Sequence, residues 1–485
     1  MATDRKLQVF FPAAGNRNGT GLNNHGSNGN YWSASLNSQD NGYNLNFNSE
    51  GVNPTNTNNR FNGFSVRAVQ HSSRYSDETF PLFLPMTLTR ERLLIDLYIA
   101  YEDAARHKHK MAYVQKYEKH LNQNIEELCD ELLERRYEAQ PSHCFIIDYP
   151  KKREVFAAMF RDRIVHHLYF NYTHEMYERT FIADSYSCIK GRGTHYGINR
   201  LAQHIRQESD NWQRPCYAMN LDIRGYFMHI NRQRLLEIAT TTISRMATHK
   251  VSAHSKDTWA DVRDIQFLLW LTEQIVMLDP KTSCVIVGDK SDWDGLDRNK
   301  SLFWTDEGCG LPIGNLTSQL FSNVYLNEFD QFMKRELHCQ HYGRYVDDSF
   351  VVSCDRQWML SIVPRIDEFL QTRLGLKLHR GKTHVVDVRQ GIEFLGAFVK
   401  PYRTYISNKT VVRMRQTLSA LNTRDKTHAA FSVNSYLGVL SHSSSYNLRK
   451  RIFLNNKVAR VVEFDGDILT SKPKTINGAK DIDNV

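Results

Sequence analysis

The sequence predicts an α+β fold. Two observations carry this. Segments with apolar residues at helical spacing alternate along the chain with short β-branched and aromatic runs. The 485 residues are 41% hydrophobic and 24% charged, enough apolar material for a sizeable core. By length, about two or three domains are expected.

The elements follow in chain order. Residues 88–105 place Leu93, Leu94, Leu97, Ile99, Ala100 and Ala104 at helical spacing after an N-cap at Thr87 or Thr89. Residues 125–137 and 162–177 read as further helices. Strand-like runs occupy 144–147, 217–223, 342–352 and 392–399. Residues 400–460 carry twelve basic residues against Asp425 alone, a helix-rich basic end suited to a phosphate backbone. Ahead of all this, residues 16–62 hold sixteen asparagines and much glycine, which favour turns. A few apolar islands there allow two or three brief strands but too little core to offset the ordering entropy.

The net charge of +9 is compatible with a polyanion partner. No run of eighteen apolar residues exists, so no membrane span is expected, and residues 1–15 make a poor signal peptide. The eight cysteines are scattered without a C-x-x-C pair, which reads as reduced thiols in a cytoplasmic protein.

The chemistry gathers at two acidic sites. One strand-like run ends in Asp222, followed by Ile223, Gly225, Tyr226 and Phe227. Another is broken by Tyr345-Val346-Asp347-Asp348, as in a hairpin with acids at its turn. Carboxylates at the ends of buried strands repel one another unless a cation lies between them, and hard oxygen donors suit Mg²⁺. Two such ions activate a hydroxyl and stabilise a leaving pyrophosphate.

These sites resemble motifs A and C of a reverse transcriptase, with Tyr345-Val346-Asp347-Asp348 matching the Tyr-x-Asp-Asp box. The run from Gly310 through Ile313, Gly314, Ser318 and Gln319 resembles motif B. The runs around Gly381-Lys382-Thr383 and Phe394-Leu395-Gly396 resemble motif D and the primer-grip hairpin. Pro150-Lys151-Lys152-Arg153-Glu154 and the run from Asp184 to His195 resemble the fingers motifs. All stand in the family's order.

The resemblance implies a right-hand polymerase: N-terminal helices and fingers at 86–216, a palm at 217–400 with a long insertion near 240–308, a basic helical thumb at 401–460 and a tail at 461–485. It implies two Mg²⁺, replaceable by Mn²⁺, on Asp222, Asp347, Asp348 and the Ile223 carbonyl. Lys151, Lys152 and Arg153 would clamp the triphosphate, with Ile313, Gly314 and Gln319 beside the nascent pair. Phe227 would be the steric gate against a ribose 2′-OH, with Tyr226 in the core. Lys382 would be a proton donor to pyrophosphate. Phe394, Leu395, Gly396, Arg449, Lys450 and Arg451 would hold primer and template.

The Ile313-Gly314-x-x-x-Ser318-Gln319 form, and the run 291–303 before it, are similar to reverse transcriptases of diversity-generating retroelements. That likeness implies error-prone cDNA synthesis at template adenines from a retroelement RNA with dNTPs, and a small basic accessory variability protein as partner. Tyr31-Trp32 and the run 60–67 resemble the C-terminal end of a C-type lectin-fold variable protein. Residues 1–70 would then be a flexible, translated copy of a template repeat, joined through a linker at 71–85. A retron-like or group II intron-like polymerase and a non-catalytic nucleic-acid-binding fusion are the alternative expectations.

Overall fold

A computed structural model describes residues 87–148, 151–422 and 425–473, with the backbone of five short strands before residue 60. The chain separates into two compact units, Met1–Phe83 and Leu84–Val485. In the first, β1 (Asn16–Asn18) pairs with β2 (Gly21–Asn23). β3 (Gly29–Leu36), β4 (Asn41–Asn48) and β5 (Gly51–Asn59) form an antiparallel three-stranded sheet. The expected flexibility of 1–70 and the linker at 71–85 fall largely outside the described residues, as do residues 474–485.

The second unit is α+β. It opens with α1 (Arg90–Ala105), whose Thr89 hydroxyl accepts from the Arg92 amide as N-cap. α2 (Ala112–Glu118) and α3 (Leu121–Leu133) follow, and α3 starts four residues before the predicted helix. Strands β6 (Ser142–Ile147) and β7 (Arg153–Ala157) make an antiparallel hairpin in the region expected as fingers, and its sheet is called the fingers sheet. Then come α4 (Phe160–Glu178) and α5 (Thr194–Glu208). β8 (Tyr217–Leu221) enters the region expected as palm and is followed by α6 (Tyr226–His229) and α7 (Arg232–Ala247).

The insertion contributes α8 (Trp259–Val262), α9 (Ile265–Met277) and β9 (Cys284–Ile286). β9 joins the fingers sheet parallel to β6. Long α10 (Leu316–Gln331) leads to the hairpin β10 (His341–Tyr345) and β11 (Asp348–Ser353), then to α11 (Arg356–Leu374) and β12 (His384–Asp387). The palm sheet runs β10-β11-β8-β12, all antiparallel.

Alternation along these strands divides the core. Met219, Leu221 and Val351 face the large cluster built on α4, α7, α9, α10 and α11. Ala218, Phe350 and Val352 face a smaller one that includes Ile198, Leu201 and Ile205 of α5. β13 (Ile392–Phe394), β14 (Ala397–Lys400) and β15 (Arg403–Ile406) form a separate sheet beside the palm. The strand-like run at 392–399 is therefore a hairpin, with its turn at the residues read as resembling a primer-grip hairpin. It turns at Leu395 and Gly396, both with positive φ (49° and 79°), as a two-residue turn following the right-handed strand twist requires.

The basic end contains α12 (Asn408–Ala420), α13 (Lys426–Ser441) and α14 (Tyr446–Arg449), packed on their own core of Met414, Leu418, Val433, Leu437 and Phe453. The short strands β16 (Val462–Phe464) and β17 (Ser471–Pro473) close it.

Candidate active site

Register brings the acids together. Ser349 of β11 pairs with Leu221 of β8, so Asp348 and Asp222 stand one step further along at the same end of adjacent strands. Asp347 occupies the β10–β11 turn, closed by the Tyr345–Asp348 pair. The turn's first residue, Val346, has φ 55°, a costly conformation for a β-branched side chain. Its surroundings impose it. The Val346 amide donates to Ser187 Oγ (3.3 Å) and its carbonyl accepts from Arg344 (2.9 Å). Arg344 is fixed in turn by Asp330, through two charge-assisted bonds of 2.7 Å each.

Asp347 and Asp348 have no such partner among the described residues. Burial, and then the nearby Asp348 charge, push the Asp347 carboxyl up to about 7. Burial and Asp222 raise Asp348 as well. Lys382 Nζ lies 2.8 Å from Asp222 Oδ2, an ion pair between residues 160 positions apart in the sequence. The Asp222 carbonyl accepts from the His379 amide (2.8 Å) and the Arg224 amide donates to the Lys377 carbonyl (2.9 Å). These bonds lay the segment 377–382 antiparallel against Ile223, which is buried.

A cavity of about 900 Å³ opens beside the acids. Its walls include Asp222, Ile223, Asp347, Arg153, Phe227, Ile313 and Lys382. Phe227 is half-buried, whereas Tyr226 is buried with its hydroxyl donating to the Ser322 carbonyl (2.6 Å). Ile313 packs with Phe227 on the cluster of Phe156, Met228 and Leu302, and its carbonyl accepts from the Phe156 amide (3.0 Å). Gly314 follows at φ 122°, where a Cβ would stand 2.8 Å from Val155 Cγ1. Gln319 is exposed on α10, accepting from the Cys188 thiol.

The other expected residues disperse. Lys151 is exposed, while the Lys152 ammonium donates to the Asp294 carbonyl (2.8 Å) and so ties the fingers to the insertion. Phe394 is buried edge-on against Phe350, and Leu395 and Gly396 at the turn of that hairpin are half-buried. In the thumb, Lys450 and Arg451 are exposed. Arg449 departs from its expected place on nucleic acid: it is buried and donates to the Ile468 carbonyl (3.0 Å). Consecutive helical residues point about 100° apart, so all three cannot face one backbone.

Sequence reasoning missed Glu154. Its buried carboxylate accepts from Trp293 Nε1 (2.7 Å), Ser301 Oγ (2.7 Å) and the Leu302 amide (2.6 Å). It clamps residues 293–302 onto the fingers, and Asp297, Asn299 and Lys300 of that segment join the cavity wall. The signal was a lone acid between basic residues and a strand of buried apolar ones.

The donor set suits a hard divalent cation: carboxylate oxygens whose mutual repulsion a cation relieves. Among the described residues no three such groups are already gathered in a metal-holding cluster, Asp222 being engaged by Lys382. Among the described residues, too, no helix is long and apolar enough to cross a membrane.

Comparison with known proteins identifies the family. Among curated proteins no match is found. Among solved structures, telomerase from Candida albicans, in complex with a fragment of telomeric RNA, aligns over 67% of this chain and 58% of its own at 11% identity and a TM-score of 0.37. Apo telomerase from Candida tropicalis aligns over 65% and 56% at 10% identity and a TM-score of 0.40. The chain thus spans less than two-thirds of the length of these telomerases. The family model described as reverse transcriptase (RNA-dependent DNA polymerase) matches residues 151–399, more than half of the sequence and all of the palm acids. The chain belongs to the reverse transcriptase family, with its right-hand polymerase fold.

Proposed function

We propose that the chain copies RNA into DNA, adding dNTPs to a primer on an RNA template. The supporting observation is that Asp222 and Asp347 line a cavity walled by Arg153, Phe227 and Lys382, with Asp348 brought opposite Asp222 by the β11–β8 register. Two Mg²⁺ ions, for which Mn²⁺ substitutes, would be held by the three aspartates and the Ile223 carbonyl, and when bound they supply hydroxyl activation and charge neutralisation. The protein's own groups do the rest. Arg153 and Lys151 offset triphosphate charge, and the Phe227 ring fills the space of a 2′-OH. Lys382, released from Asp222, donates a proton to a pyrophosphate oxygen.

The finer reading is a polymerase of a diversity-generating retroelement, error-prone at template adenines and working with a small basic accessory protein on its element's RNA. Ile313 supports it: an apolar side chain packed with Phe227 offers no hydrogen bond that would penalise a misfit base. Residues 1–70 would be the translated template repeat, because asparagine codons begin with two adenines and miscopying there yields many side chains but no stop.

Primer extension on an RNA template, with and without divalent cation, followed by sequencing of the cDNA, tests both levels. Cation-dependent extension with errors concentrated opposite adenine is expected. No extension overturns the polymerase. Errors spread evenly over the four bases overturn the subtype alone.

A further inference from the structure

A second cavity, of about 600 Å³, shares no lining residue with the one beside the acids. Its walls come from three places: the C-terminal half of α5 with the loop after it, the β14–β15 turn, and the segment between α13 and α14. The Ser444 amide donates to the Thr404 carbonyl (2.8 Å), and the His195 and His442 rings stack 3.8 Å apart at their centroids. These contacts hold the thumb against the palm and fix the cavity's shape.

Charge and ring placement define what it suits. Arg206, Lys400 and Arg403 line it, all exposed, and no Asp or Glu is among the described lining residues. Tyr402 stands at the rim, 80% exposed, with its ring 6.0 Å from that of half-buried Trp212. Both aromatic residues have positive φ, 61° for Tyr402 and 71° for Trp212. Backbone cost at two facing aromatic residues, one almost fully in water, opposes what folding alone would select. Among the described residues these three cations have no ion-pair partner, Lys400 lying over the Phe398 ring (5.7 Å), and with the open Tyr402 face beside half-buried Trp212 they match an unpaired base with its flanking phosphates.

We propose that this cavity binds a single-stranded polynucleotide segment outside the polymerase cleft. A base stacks on Tyr402 against Trp212, and the adjoining phosphates lie on Arg206, Lys400 and Arg403. Amide and hydroxyl groups from Gln203 and Ser443 are within the same walls and accommodate a ribose 2′-OH. The proposal goes beyond the polymerase reading, since it needs neither the aspartates nor catalysis.

Ultraviolet crosslinking of the full-length chain to uridine-rich single-stranded RNA, single-stranded DNA and duplex RNA, with peptide mapping, tests it. Crosslinks to the peptides carrying Trp212 or Tyr402 are expected with single strands and not with duplex. They should persist when a primer–template is present in excess. The two single-stranded arms separate an RNA site, with DNA at least about fivefold weaker, from a site for any single strand. Tyr402→Ala combined with Arg403→Glu should lower the yield at least about tenfold, while Tyr402→Phe, which keeps the stacking face, should retain it. Absence of crosslinks at both peptides, equal yield with duplex, or equal loss in Tyr402→Phe would overturn the site.

Discussion

Two sets of carboxylates around one palm sheet are treated in opposite ways. Asp330 is fully buried behind β10, and it accepts from the Tyr342 hydroxyl and twice from Arg344, each at 2.7 Å. Asp184, beside the same strand, is held far below the usual carboxylate range because hydrogen bonds from His204 and Arg200 outweigh its burial. Asp347 and Asp348 sit a few residues away with no guanidinium to answer them, and both are pushed up. A saturated carboxylate is finished by folding and serves the scaffold. A starved one keeps its binding capacity for something that arrives later. Arg344 links the sets, since the cation that satisfies Asp330 also holds the turn that carries Asp347.

The sharpest way to break this comparison is to remove a charge from each set. Asp347→Asn should lower primer extension at least about a thousandfold while the protein still folds, checked by extension rate and by melting. Asp330→Asn should do the reverse, costing about 3–5 kcal/mol by leaving Arg344 buried beside a neutral partner, read by chemical denaturation. If Asp330→Asn is stable and merely inactive, the two sets are not different in kind.

The same contrast separates neighbouring rings. Phe227→Ala should raise ribonucleotide over deoxynucleotide incorporation about tenfold, measured as the ratio of extension efficiencies. Tyr226→Ala should instead lower stability and leave that ratio alone. A change of ratio confined to Tyr226→Ala would move the gate by one residue.

In the thumb, Lys450→Glu with Arg451→Glu should weaken RNA binding and reduce the slope of log affinity against log salt by about two. Arg449→Glu, aimed inward, should unfold the thumb. Parallel salt slopes for the wild type and the exposed pair would mean that neither residue meets a phosphate.

The smallest effect is on pH. Asp347 titrates near 7 in the fold and near the ordinary carboxylate value of about 4 when unfolded. The folded state therefore holds the extra proton between those values, and stability should fall as pH rises from about 4 to about 7. Cleft solvent limits the loss to about 1 kcal/mol, or no more than about 2 °C in melting without divalent ions. Asp347→Asn should flatten the slope. An unchanged slope would trace it to other groups.

Much of the site was legible because its parts lie close in sequence. The hairpin with its acids and the run ending in Asp222 are local patterns, and the N-cap at Thr89 follows from side-chain chemistry within one turn. What stayed hidden depends on distant partners. Nothing local says that Arg344 meets Asp330 or that Glu154 meets Trp293, because periodicity records which face is buried and not what lies opposite. Arg449 failed for a related reason: a basic run reads as one surface until the helix distributes it. The run at 392–399 reads as one strand by its composition, because Leu395, a poor turn former, takes a left-handed conformation there; only the resemblance to a primer-grip hairpin pointed to the turn.

The fingers sheet has a consequence for how the chain is made. β6 pairs on one side with β7, its immediate successor, and on the other with β9, about 140 residues later. At about 5–20 residues per second a ribosome needs roughly 7–28 seconds to supply that third strand. Until then β6, with Ile146 and Ile147 next to its open backbone, is an edge that any extended segment can join. The long insertion therefore finishes the fingers as well as walling the cavity, and the nascent chain's most exposed interval falls between the two strands it brings together.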